Sequence, residues 1–506
     1  MSQRIRSVLV ANRGEIAIRV MRAVSELGLR TVAVYSHEDR FSLHRTKADE
    51  SYLVGRGKGP IEAYLGIEDL LRVAREASVD AIHPGYGFLA ENPEFARACR
   101  EAGVCFIGPE PETLAVFGNK VRARELAAAA GVPVMRASGP LPADPGRCAR
   151  TAQEIGYPLM LKASWGGGGR GSRIVRDAAE LAELLPVCRR EAQAAFGNDE
   201  VYLEKLVARA RHVEVQILGD LHGTLVHLFE RDCTAQRRHQ KVVERAPAVF
   251  LSAAERARLC TDALAIARAA RYISAGTVEF LQDADSGAHY FIEVNPRIQV
   301  EHTVTECVTG IDLVKAQIHI AAGARLGTPE SGVPAQADIV LRGHALQCRI
   351  TTEDPENNFV PDYGRIAAYR SPAGFGIRLD AGTAYTGAII TRSYDSLLVK
   401  VTAWAPSAQE CIARMHRALA EFRIRGVVTN LRFLDQLITH PRFAAGDYTT
   451  RFIEETPELL QWPRKRDRAT RILGLLGTTI VNGNAEVQGR ARPARLALPQ
   501  LPPGPL

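Results

Sequence analysis

A strand, a helix and a second strand follow one another near the start of the chain. The segments "SVLVA" and "RTVAVYS" are short, apolar and rich in valine, which is typical of buried strands. Between them, "GEIAIRVMRAVSELG" repeats apolar residues at intervals of three and four, which predicts a helix that ends at Gly28. A strand, a crossover helix and a strand predict parallel pairing, so we expect the opening part of the chain to form a parallel α/β sheet. The buried face of the helix should consist of Ala17, Val20, Met21, Val24 and Leu27.

Residues 157–175, "YPLMLKASWGGGGRGSRIV", place a run of glycines between two strand-like segments. Two strands joined by glycines predict a hairpin whose tip exposes backbone N–H groups that a phosphate can approach. The run is not a Walker A loop, because no Gly-Lys-Ser/Thr follows it, and it does not open a crossover helix. The residues alone leave two interpretations open, a structural turn and a flap over phosphate.

The composition is that of a soluble globular protein, since 46% of the 506 residues are hydrophobic and 24% are charged. Such a length should hold several domains. The net charge is +7, and much of it lies in residues 451–506, so the rest is too weakly basic for a nucleic-acid surface. Nine cysteines occur singly, which disfavours a disulfide framework or a zinc site. Without a membrane-length apolar run or a signal peptide, we expect a cytoplasmic protein.

The stretch "YFIEVNPRIQVEH", residues 290–302, carries charged and amide side chains at alternating positions. In a strand, Glu293, Asn295 and Arg297 project together, and Gln299 and Glu301 continue the row if the strand continues. Carboxylate and amide oxygens with this spacing suit magnesium, a hard cation.

A second carboxylate, Glu279 in "GTVEFLQD", lies on a preceding predicted strand. Two carboxylates on neighbouring strands with no compensating lysine between them need a cation. The alternative is an ion-paired, solvated sheet face. Because Glu279, Glu293 and Asn295 occur together, we favour a metal site.

Two further segments supply polar groups. "FERDCTAQRRHQKVVE" contains Gln236, His239 and Lys241 at near-alternating positions, where basic groups could bind anionic oxygens. Cys233 in the same segment is a candidate nucleophile, but a lone cysteine is more often a small buried filler. "EKLVARARHVEVQ" adds Glu204, Lys205 and His212, for which a surface salt-bridge cluster is the alternative interpretation.

These motifs occur in a fixed order with "KASWGGGGRG", "ANRGEIAIR", "HPGYGFLAEN" and "QCRITTEDP". From about residue 5 to 450 the chain resembles the biotin carboxylase component of biotin-dependent carboxylases, which belongs to the ATP-grasp superfamily. "SHEDRFSLHRTKADESYLVG" and "RIRGVVTNLRFL" resemble the pyruvate carboxylase version more than the acetyl-CoA carboxylase version. "RKRDRATRILGLLGTTIVNGN" resembles the segment that leads, in the former, into a carboxyltransferase domain.

The resemblance implies an ATP-grasp fold of mixed α/β and α+β class. We expect an N-terminal parallel α/β domain over residues 1–118 and an ATP-grasp domain over 119–335, with a small β-rich lid at about 133–205. A C-terminal mixed-sheet domain over 336–450 and a linker segment over 451–506 should follow. Trp165 before the glycines and Ser172 after them depart from the residues common in relatives, and both lie on the lid.

The resemblance also implies the ligands, which are ATP, Mg²⁺ or Mn²⁺, bicarbonate, and biotin carried on a separate domain or chain. Glu301 matches the general base, and Arg349 matches the arginine that faces the ureido oxygen of biotin. The metal ligands match Glu279, Glu293 and Asn295, and the bicarbonate pocket matches Lys241, Arg297, Gln299 and the Val300 amide. The nucleotide-binding positions match Lys120, Lys162, Gly168, Gly169, Glu204, Lys205, Leu206, His212, Gln236 and His239.

The implied roles of the nucleotide-binding groups differ. Glu204 and the backbone beside Leu206 should hold the adenine, and His212 should lie at the ribose. The glycine hairpin would then be a lid over the triphosphate, because carboxyphosphate hydrolyses in bulk water and the site must close first.

The implied reaction is the ATP-dependent carboxylation of biotin with bicarbonate through carboxyphosphate. The implied partners are a biotinylated carrier and a carboxyltransferase, with a homodimer or higher oligomer and with neither nucleic acid nor membrane. The subunit of an acetyl-CoA or other acyl-CoA carboxylase is the alternative. Another ATP-grasp ligase would not need "RIQVEH" or Arg349, and a silent nucleotide-binding scaffold would not need the charged groups.

Overall fold

The computed structural model describes residues 5–165, 172–461 and 468–482. The chain divides into two compact units, residues 1–460 and 461–506. Within the described residues, no helix has both the length and the apolar character that crossing a membrane requires.

The predicted parallel sheet is present at the N-terminus. Its elements are β1 (Ser7–Val10), α1 (Gly14–Glu26), β2 (Arg30–Tyr35), β3 (Glu50–Leu53), α2 (Pro60–Tyr64), α3 (Ile67–Glu76), β4 (Ala81–His83), α4 (Pro93–Glu101) and β5 (Cys105–Phe106). The strands pair in the order β3-β2-β1-β4-β5, and every pair is parallel. Helix α1 buries the predicted apolar stripe except Leu27, which is partly buried, and Gly28 follows with a φ of +69°. The left-handed backbone at Gly28 ends the helix as expected.

A small antiparallel sheet follows, with its own apolar core. The elements are α5 (Pro111–Phe117), α6 (Lys120–Ala129), α7 (Pro145–Ile155), β6 (Leu159–Ala163), β7 (Arg173–Val175), α8 (Ala178–Phe196) and β8 (Val201–Lys205). The strand order is β7-β6-β8, and β6 and β7 pair antiparallel on either side of the glycine run. The predicted hairpin is therefore confirmed, while the glycines themselves, residues 166–171, lie outside the described residues.

The central part of the chain builds most of a large antiparallel sheet. Its elements are β9 (Ala210–Gly219), β10 (Leu225–Arg237), β11 (Gln240–Ala246), α9 (Ala253–Ala269), β12 (Ser274–Asp283), β13 (His289–Asn295), α10 (His302–Thr309) and α11 (Leu313–Ala321). Helix α9 packs on β9 and β10 through the core that holds Leu259, Ala263 and Val215.

The C-terminal strands extend this same sheet. The elements are β14 (His344–Thr351), β15 (Glu353–Asp354), β16 (Val360–Pro361), β17 (Gly364–Arg365), β18 (Ala368–Arg370), β19 (Ile377–Ala381), β20 (Ile389–Ile390), β21 (Leu397–Ala405), α12 (Ala408–Glu421), β22 (Arg423–Arg425), α13 (Leu431–Thr439) and α14 (Pro441–Ala445). The full order is β13-β12-β9-β10-β11-β14-β21-β19, so one eight-stranded sheet runs through both parts. β14 and β21 pair antiparallel, and helix α12 follows β21.

The second unit contains helix α15 (Arg468–Asn482). Of the predicted linker segment 451–506, residues 462–467 and 483–506 lie outside the described residues.

Candidate active site

Four charged side chains form a row across the large sheet, one on each of four neighbouring strands. Glu293 on β13 is the register partner of Glu279 on β12, which is in turn the partner of Glu214 on β9. Glu214 is the partner of Arg231 on β10. Directly opposed residues project on the same face of a sheet. Three carboxylates and one guanidinium therefore lie side by side.

The prediction that the two metal-ligand carboxylates lack a compensating lysine is wrong. The Nζ of Lys241, on β11, lies 2.8 Å from Glu279 Oε1, and the Nζ of Lys120, on α6, lies 3.3 Å from Glu293 Oε2. His212 adds Nε2 at 3.0 Å from Glu279 Oε2. The two lysines come from elements distant in sequence, which the pattern around the carboxylates could not reveal. In this structure the protein itself neutralises both acids.

Lys241 is the centre of the charge cluster. Its Nζ lies 2.5 Å from Glu214 Oε2, 2.8 Å from Glu279 Oε1 and 2.7 Å from Glu301 Oε1. Burial by itself would lower the pKa of Lys241, but the three carboxylates outweigh burial and hold the pKa well above its ordinary value. The ammonium group is therefore charged and all three of its donors are used. An anion that enters this site gains a donor only by replacing a carboxylate as its partner.

Glu301 lies between two cations, at the start of α10. Its Oε1 accepts from Lys241, and its Oε2 lies 3.0 Å from Arg349 Nη2. Burial would raise the pKa of Glu301, but Lys241, Arg349 and Arg231 outweigh burial and lower the pKa below its ordinary value. Glu301 is thus a carboxylate at neutral pH, which is the form that can accept a proton.

The segment after β13 reaches the site by a turn and not by continuing the strand. β13 ends at Asn295, so the prediction that Arg297 projects from the strand with Glu293 and Asn295 is wrong, and the strand does not continue to Gln299 and Glu301. Pro296 follows, and proline cannot donate a hydrogen bond to a sheet ladder. The turn brings Gln299 back, and its Nε2 donates to Glu279 Oε1 at 3.0 Å.

Arg297 and Asn295 form a chain of contacts that leads to Glu279. Arg297 Nε lies 2.5 Å from Glu91 Oε1, and its Nη2 donates to Asn295 Oδ1 at 3.0 Å. Asn295 Nδ2 donates to Glu279 Oε1 at 2.8 Å. Arg297 is therefore held at the edge of the charge cluster by a residue of the N-terminal part, Glu91.

Arg349 on β14 lies on the far side of Glu301. Its Nη2 lies 2.5 Å from Glu244 Oε1 and 3.0 Å from Glu301 Oε2. Glu244 is fully buried and also accepts from Gln347 Nε2 at 2.8 Å. Two carboxylates thus fix both the charge and the direction of Arg349.

Lys120, Lys162 and Glu204 form a second cluster, which the small sheet contributes with α6. Lys162 on β6 pairs with Glu204 on β8. The N–H of Lys120 donates to the Ser164 carbonyl at 3.0 Å, which ties the start of α6 to the end of β6. Burial would lower the pKa of Lys120, but the charge of Glu293 contributes to raising it above its ordinary value. Both lysines are thus placed beside carboxylates near the row of charges.

Two predicted nucleotide-binding positions have protein partners instead. Lys205 Nζ donates to the carbonyls of Gly156 and Tyr157, both at 2.8 Å. The N–H of Leu206 donates to the Pro158 carbonyl at 3.3 Å. The structure therefore gives Lys205 a role in holding the loop before β6. Gly168 and Gly169 lie outside the described residues.

Gln236 and Lys241 face each other across a hairpin, whereas the sequence spacing placed them along one run of residues. They are register partners of β10 and β11, and the turn between the strands contains Arg238 and His239 with φ values of +48° and +65°. Gln236 Nε2 donates to the Cys233 carbonyl at 2.9 Å. Burial lowers the pKa of His239, which lies at the hairpin tip.

All nine cysteines lie in the described ranges and are free. Cys233 is fully buried, and burial raises the pKa of its thiol well above the ordinary value. It is a protonated filler, as the sequence favoured.

Sequence reasoning missed three charged residues of the site, Glu214, Arg231 and Glu244. Each interrupts an otherwise apolar strand, as in "HVEVQ" and "HLFERDC", and that interruption could have identified them. Arg231 is fully buried, which strands with solvated faces do not require. Its guanidinium donates to Glu214 at 2.6 Å, Gln216 at 2.7 Å, Thr305 at 3.0 Å, Thr277 at 2.9 Å and Gln299 at 2.7 Å.

The donor set of Glu279, Glu293 and Asn295 suits a hard divalent cation, because it consists of carboxylate and amide oxygens. The two carboxylates are cross-strand partners, so their oxygens face a common space. His212 and Glu214 also place a ligand atom within 4.8 Å of one on Glu279. The end of the row at Glu279 and Glu293 can therefore hold a cation, and the adjoining cations Lys241 and Arg297 can hold an anion.

Three family models match the chain. Residues 4–114 match the biotin carboxylase N-terminal domain, residues 119–328 match the ATP-binding domain of the carbamoyl-phosphate synthase L chain, and residues 347–455 match the biotin carboxylase C-terminal domain. Pyruvate carboxylase of Bacillus subtilis is 54% identical over 97% of the chain, and human mitochondrial pyruvate carboxylase is 51% identical over 99%. The chain spans less than half the length of these two relatives, 43% and 42%.

Solved structures agree in fold. Rhizobium etli pyruvate carboxylase T882A with acetyl coenzyme A superposes with a TM-score of 0.89 at 63% identity, over 99% of this chain and 45% of that one. The biotin carboxylase domain dimer of Hydrogenobacter thermophilus 2-oxoglutarate carboxylase gives a TM-score of 0.87 at 44% identity, over 91% of this chain and 100% of that one. That domain was crystallised with MgADP, ADP and bicarbonate.

Proposed function

Because this chain belongs to the biotin carboxylase family of ATP-grasp enzymes, we propose that it carboxylates biotin with bicarbonate at the expense of ATP. One observation supports this above all others. Glu301 is an ionised carboxylate held between Lys241 and Arg349, next to the carboxylate pair Glu279 and Glu293. A base, an anion pocket and a cation site therefore adjoin one another.

In the proposed reaction bicarbonate binds between Lys241 and Arg297, beside the Gln299 amide and the Val300 N–H. Bicarbonate is a weak nucleophile, so Glu301 removes its proton as its oxygen attacks the γ-phosphorus of ATP. The phosphorus–oxygen bond to ADP breaks and carboxyphosphate forms. When bicarbonate takes a donor of Lys241, the hold of Lys241 on Glu301 weakens and the pKa of Glu301 rises, which makes it a better base.

The charges at the nucleotide end position the phosphates. Lys120 and Lys162 can exchange their carboxylate partners for phosphate oxygens, and phosphoryl transfer depends mainly on such positioning and charge neutralisation. Glu279, Glu293 and Asn295 would hold Mg²⁺ or Mn²⁺, which neutralises phosphate charge when bound. Glu204 at the adenine and His212 at the ribose remain proposals, since Glu204 pairs with Lys162 and His212 contacts Glu279 in this structure.

The second step transfers the carboxyl group to biotin. Carboxyphosphate breaks down to CO₂ and phosphate, and the phosphate accepts the proton of the biotin ureido nitrogen, which then attacks CO₂. The negative charge moves to the ureido oxygen, where Arg349 stabilises it. Glu244 and Glu301 hold the guanidinium in place before biotin arrives.

The whole protein is proposed to be a pyruvate carboxylase, because pyruvate carboxylases of several organisms match nearly the whole chain at 50–54% identity. Its partners would then be a biotinylated carrier and a carboxyltransferase, and it would form at least a dimer, as the H. thermophilus domain does. The boundaries 1–118, 119–335, 336–450 and 451–506 remain a proposal. An acyl-CoA carboxylase is the second candidate, and carboxylation of pyruvate or acetyl-CoA by the full enzyme distinguishes the two.

The test is bicarbonate-dependent cleavage of ATP, measured as ADP release with and without free biotin. We expect cleavage to require bicarbonate and to rise with biotin. Glu301→Gln should lower turnover by about 100-fold or more, because a general base contributes roughly 10²–10⁴. Nucleotide binding by the variant should stay close to that of the unmodified protein.

The matched control is Glu94→Gln on α4, whose side chain is 69% exposed. It makes the same chemical change and should retain full activity. Glu301→Gln with full activity would disprove the assigned base. ATP cleavage that does not depend on bicarbonate would instead favour another ATP-grasp ligase. The absence of any ATP cleavage would favour a catalytically silent nucleotide-binding scaffold.

A further inference from the structure

Lys400 is a fully buried lysine that the proposed mechanism does not use. Its Nζ lies 3.0 Å from Glu15 Oε1 and donates to the Val300 carbonyl at 2.9 Å. Its exposed fraction is 0%. A buried ammonium costs several kcal/mol unless it is paired, and Glu15 and the Val300 carbonyl supply the partners that the burial of Lys400 requires.

Lys400 belongs to the same face of the large sheet as Arg349. The two residues are register partners on β21 and β14, and directly opposed residues share a face. From that face the side chain reaches the turn between β13 and α10, where it meets the Val300 carbonyl. Lys400 therefore connects the C-terminal strands to the segment that carries the base.

The counter-charge comes from the N-terminal part of the chain. Glu15 lies in the first turn of α1, and its Oε1 accepts from both Lys400 and the Tyr86 hydroxyl. Glu15 is itself only 8% exposed, so each group of the pair depends on the other. Three distant parts of the chain thus meet at the turn that ends in Glu301.

The Val300 carbonyl and the Val300 N–H belong to two successive peptide groups. The first joins Gln299 to Val300, and its carbonyl accepts from His302 Nδ1 at 2.6 Å and from the His302 N–H at 3.3 Å. In a trans peptide the N–H points away from the carbonyl, so the Val300 N–H is directed away from His302. Among the described residues this N–H finds no protein acceptor.

The second peptide group joins Val300 to Glu301, and Lys400 holds its carbonyl. Its plane fixes the direction in which the Glu301 side chain leaves the backbone. His302 and Lys400 therefore each lock one of the two peptides on which the proposed bicarbonate pocket depends. A pocket whose groups are already ordered binds and reacts without the free-energy cost of ordering them.

We propose that Lys400, compensated by Glu15, is a positioning residue that fixes the Val300–Glu301 peptide and, with it, the direction of the Glu301 carboxylate toward bicarbonate. The inference rests on the proposed function, since it concerns the same pocket. Lys400 touches no reacting atom and acts through Val300 and Glu301. The competing explanation is that the Glu15–Lys400 pair only stabilises the fold.

Two variants separate these explanations. Lys400→Met removes the donor and the charge, and it leaves Glu15 buried without its cation, so it lowers both stability and bicarbonate affinity. The double variant Glu15→Gln with Lys400→Met removes both charges, and stability should recover because no buried charge is left unpaired. The Val300 carbonyl still lacks its donor in the double variant.

The measurements are the melting temperature and the KM for bicarbonate and for ATP in ADP release. We expect the KM for bicarbonate to rise about 10-fold in both variants, because the Val300–Glu301 peptide must then be ordered when bicarbonate binds. The KM for ATP should change little. Recovery of melting temperature without recovery of the bicarbonate KM in the double variant supports the positioning role.

The matched control removes a buried ion pair that lies away from the turn, Arg256 on α9 with Glu230 on β10. Arg256→Met with Glu230→Gln should leave the KM for bicarbonate unchanged. A normal bicarbonate KM in the Glu15–Lys400 double variant would overturn the positioning role while leaving the proposed function intact. Wild-type protein that neither cleaves ATP with bicarbonate nor melts at a higher temperature in bicarbonate would overturn both.

Discussion

Arg231 fixes the direction of a side chain that carries no charge. Its Nη2 donates to Gln299 Oε1 at 2.7 Å, which turns the Gln299 Nε2 toward Glu279 and the proposed bicarbonate pocket. Arg231 also balances Glu214 at 2.6 Å in a region without solvent. The guanidinium suits this role because its five donors lie in a rigid plane.

Replacing Arg231 with methionine should destabilise the protein by about 3–5 kcal/mol, because Glu214 is left charged, buried and without its guanidinium partner. Chemical unfolding measures the change. Arg72→Met, at a residue whose side chain is 50% exposed, is the control and should change stability by less than about 1 kcal/mol. Equal effects of the two substitutions would contradict the role assigned to burial.

The sequence pattern around individual residues predicted only part of the chemistry of the site. Glu279, Glu293 and Glu301 could be singled out because each is a charge in a strand-like segment. Lys241 was recognised, but its contacts with Glu214, Glu279 and Glu301 were not, since these carboxylates lie on β9, β12 and the turn after β13. Spacing along one strand specifies a face, whereas the pairing of distant strands decides which charges meet there.

The β10–β11 hairpin holds a strained backbone in its turn at His239, which is a predicted nucleotide-binding position. Its turn holds Arg238 and His239 with positive φ, a backbone conformation that costs side-chain-bearing residues about 1–2 kcal/mol. Asn-Gly is the pair that such a two-residue turn favours. The strain places His239 at the tip of the hairpin that also carries Lys241.

His239→Gly should therefore raise the free energy of unfolding by about 1 kcal/mol, because glycine adopts this φ without strain. If His239 contacts the nucleotide, the same change should raise the KM for ATP. Arg238→Asn is the control, since it relieves strain at the neighbouring position and should leave the KM for ATP unchanged. A loss of stability in His239→Gly would show that the ring contributes more than its backbone costs.

Element prediction worked where local periodicity or turn chemistry decides the structure. The stripe of α1, its end before Gly28 and the β6–β7 hairpin follow from residues a few positions apart. The end of β13 at Asn295 was missed, although Pro296 was the local indication. There the alternation of charged residues predicts a longer strand, whereas the chain turns after Asn295.

The whole molecule carries buried histidines that make its stability depend on pH. Burial lowers the pKa of His44, His83 and His227 to about 4. In the unfolded chain each titrates near its ordinary pKa of about 6.5. The unfolded state therefore takes up more protons below that pH, and the folded state loses stability as the pH falls from about 6.5 to about 4.

Chemical unfolding between pH 7 and pH 4.5 should show this decline. His44→Gln, which can keep a donor for the Val34 carbonyl, should make the decline shallower, because one titrating group is removed. His37→Gln, at an exposed position, should leave the slope as it was. A slope that His44→Gln does not change would exclude His44 as a contributor.

The continuity of the large sheet was beyond sequence reasoning. β11 and β14 are separated by about a hundred residues, and neither strand has a sequence feature that indicates the other as its partner. The fold class and the order of parts could be predicted, because they follow from local patterns and from long ordered motifs. The pairing that joins residues 240–246 to residues 344–351 depends on the whole assembled fold.

That shared sheet also limits how the chain can be divided or recombined. A shorter piece ending at residue 335 would keep Lys241 and Glu301 but lose Arg349. It would also leave the backbone N–H and C=O groups along one edge of β11 unpaired, and such an exposed edge promotes aggregation. A chimera that exchanges C-terminal segments between relatives would have to preserve the pairing of β11 with β14, in which Val243 is opposite Cys348 and Glu244 is opposite Gln347. Glu301, the proposed base, and the guanidinium of Arg349 therefore have to be kept together when the chain is divided or recombined.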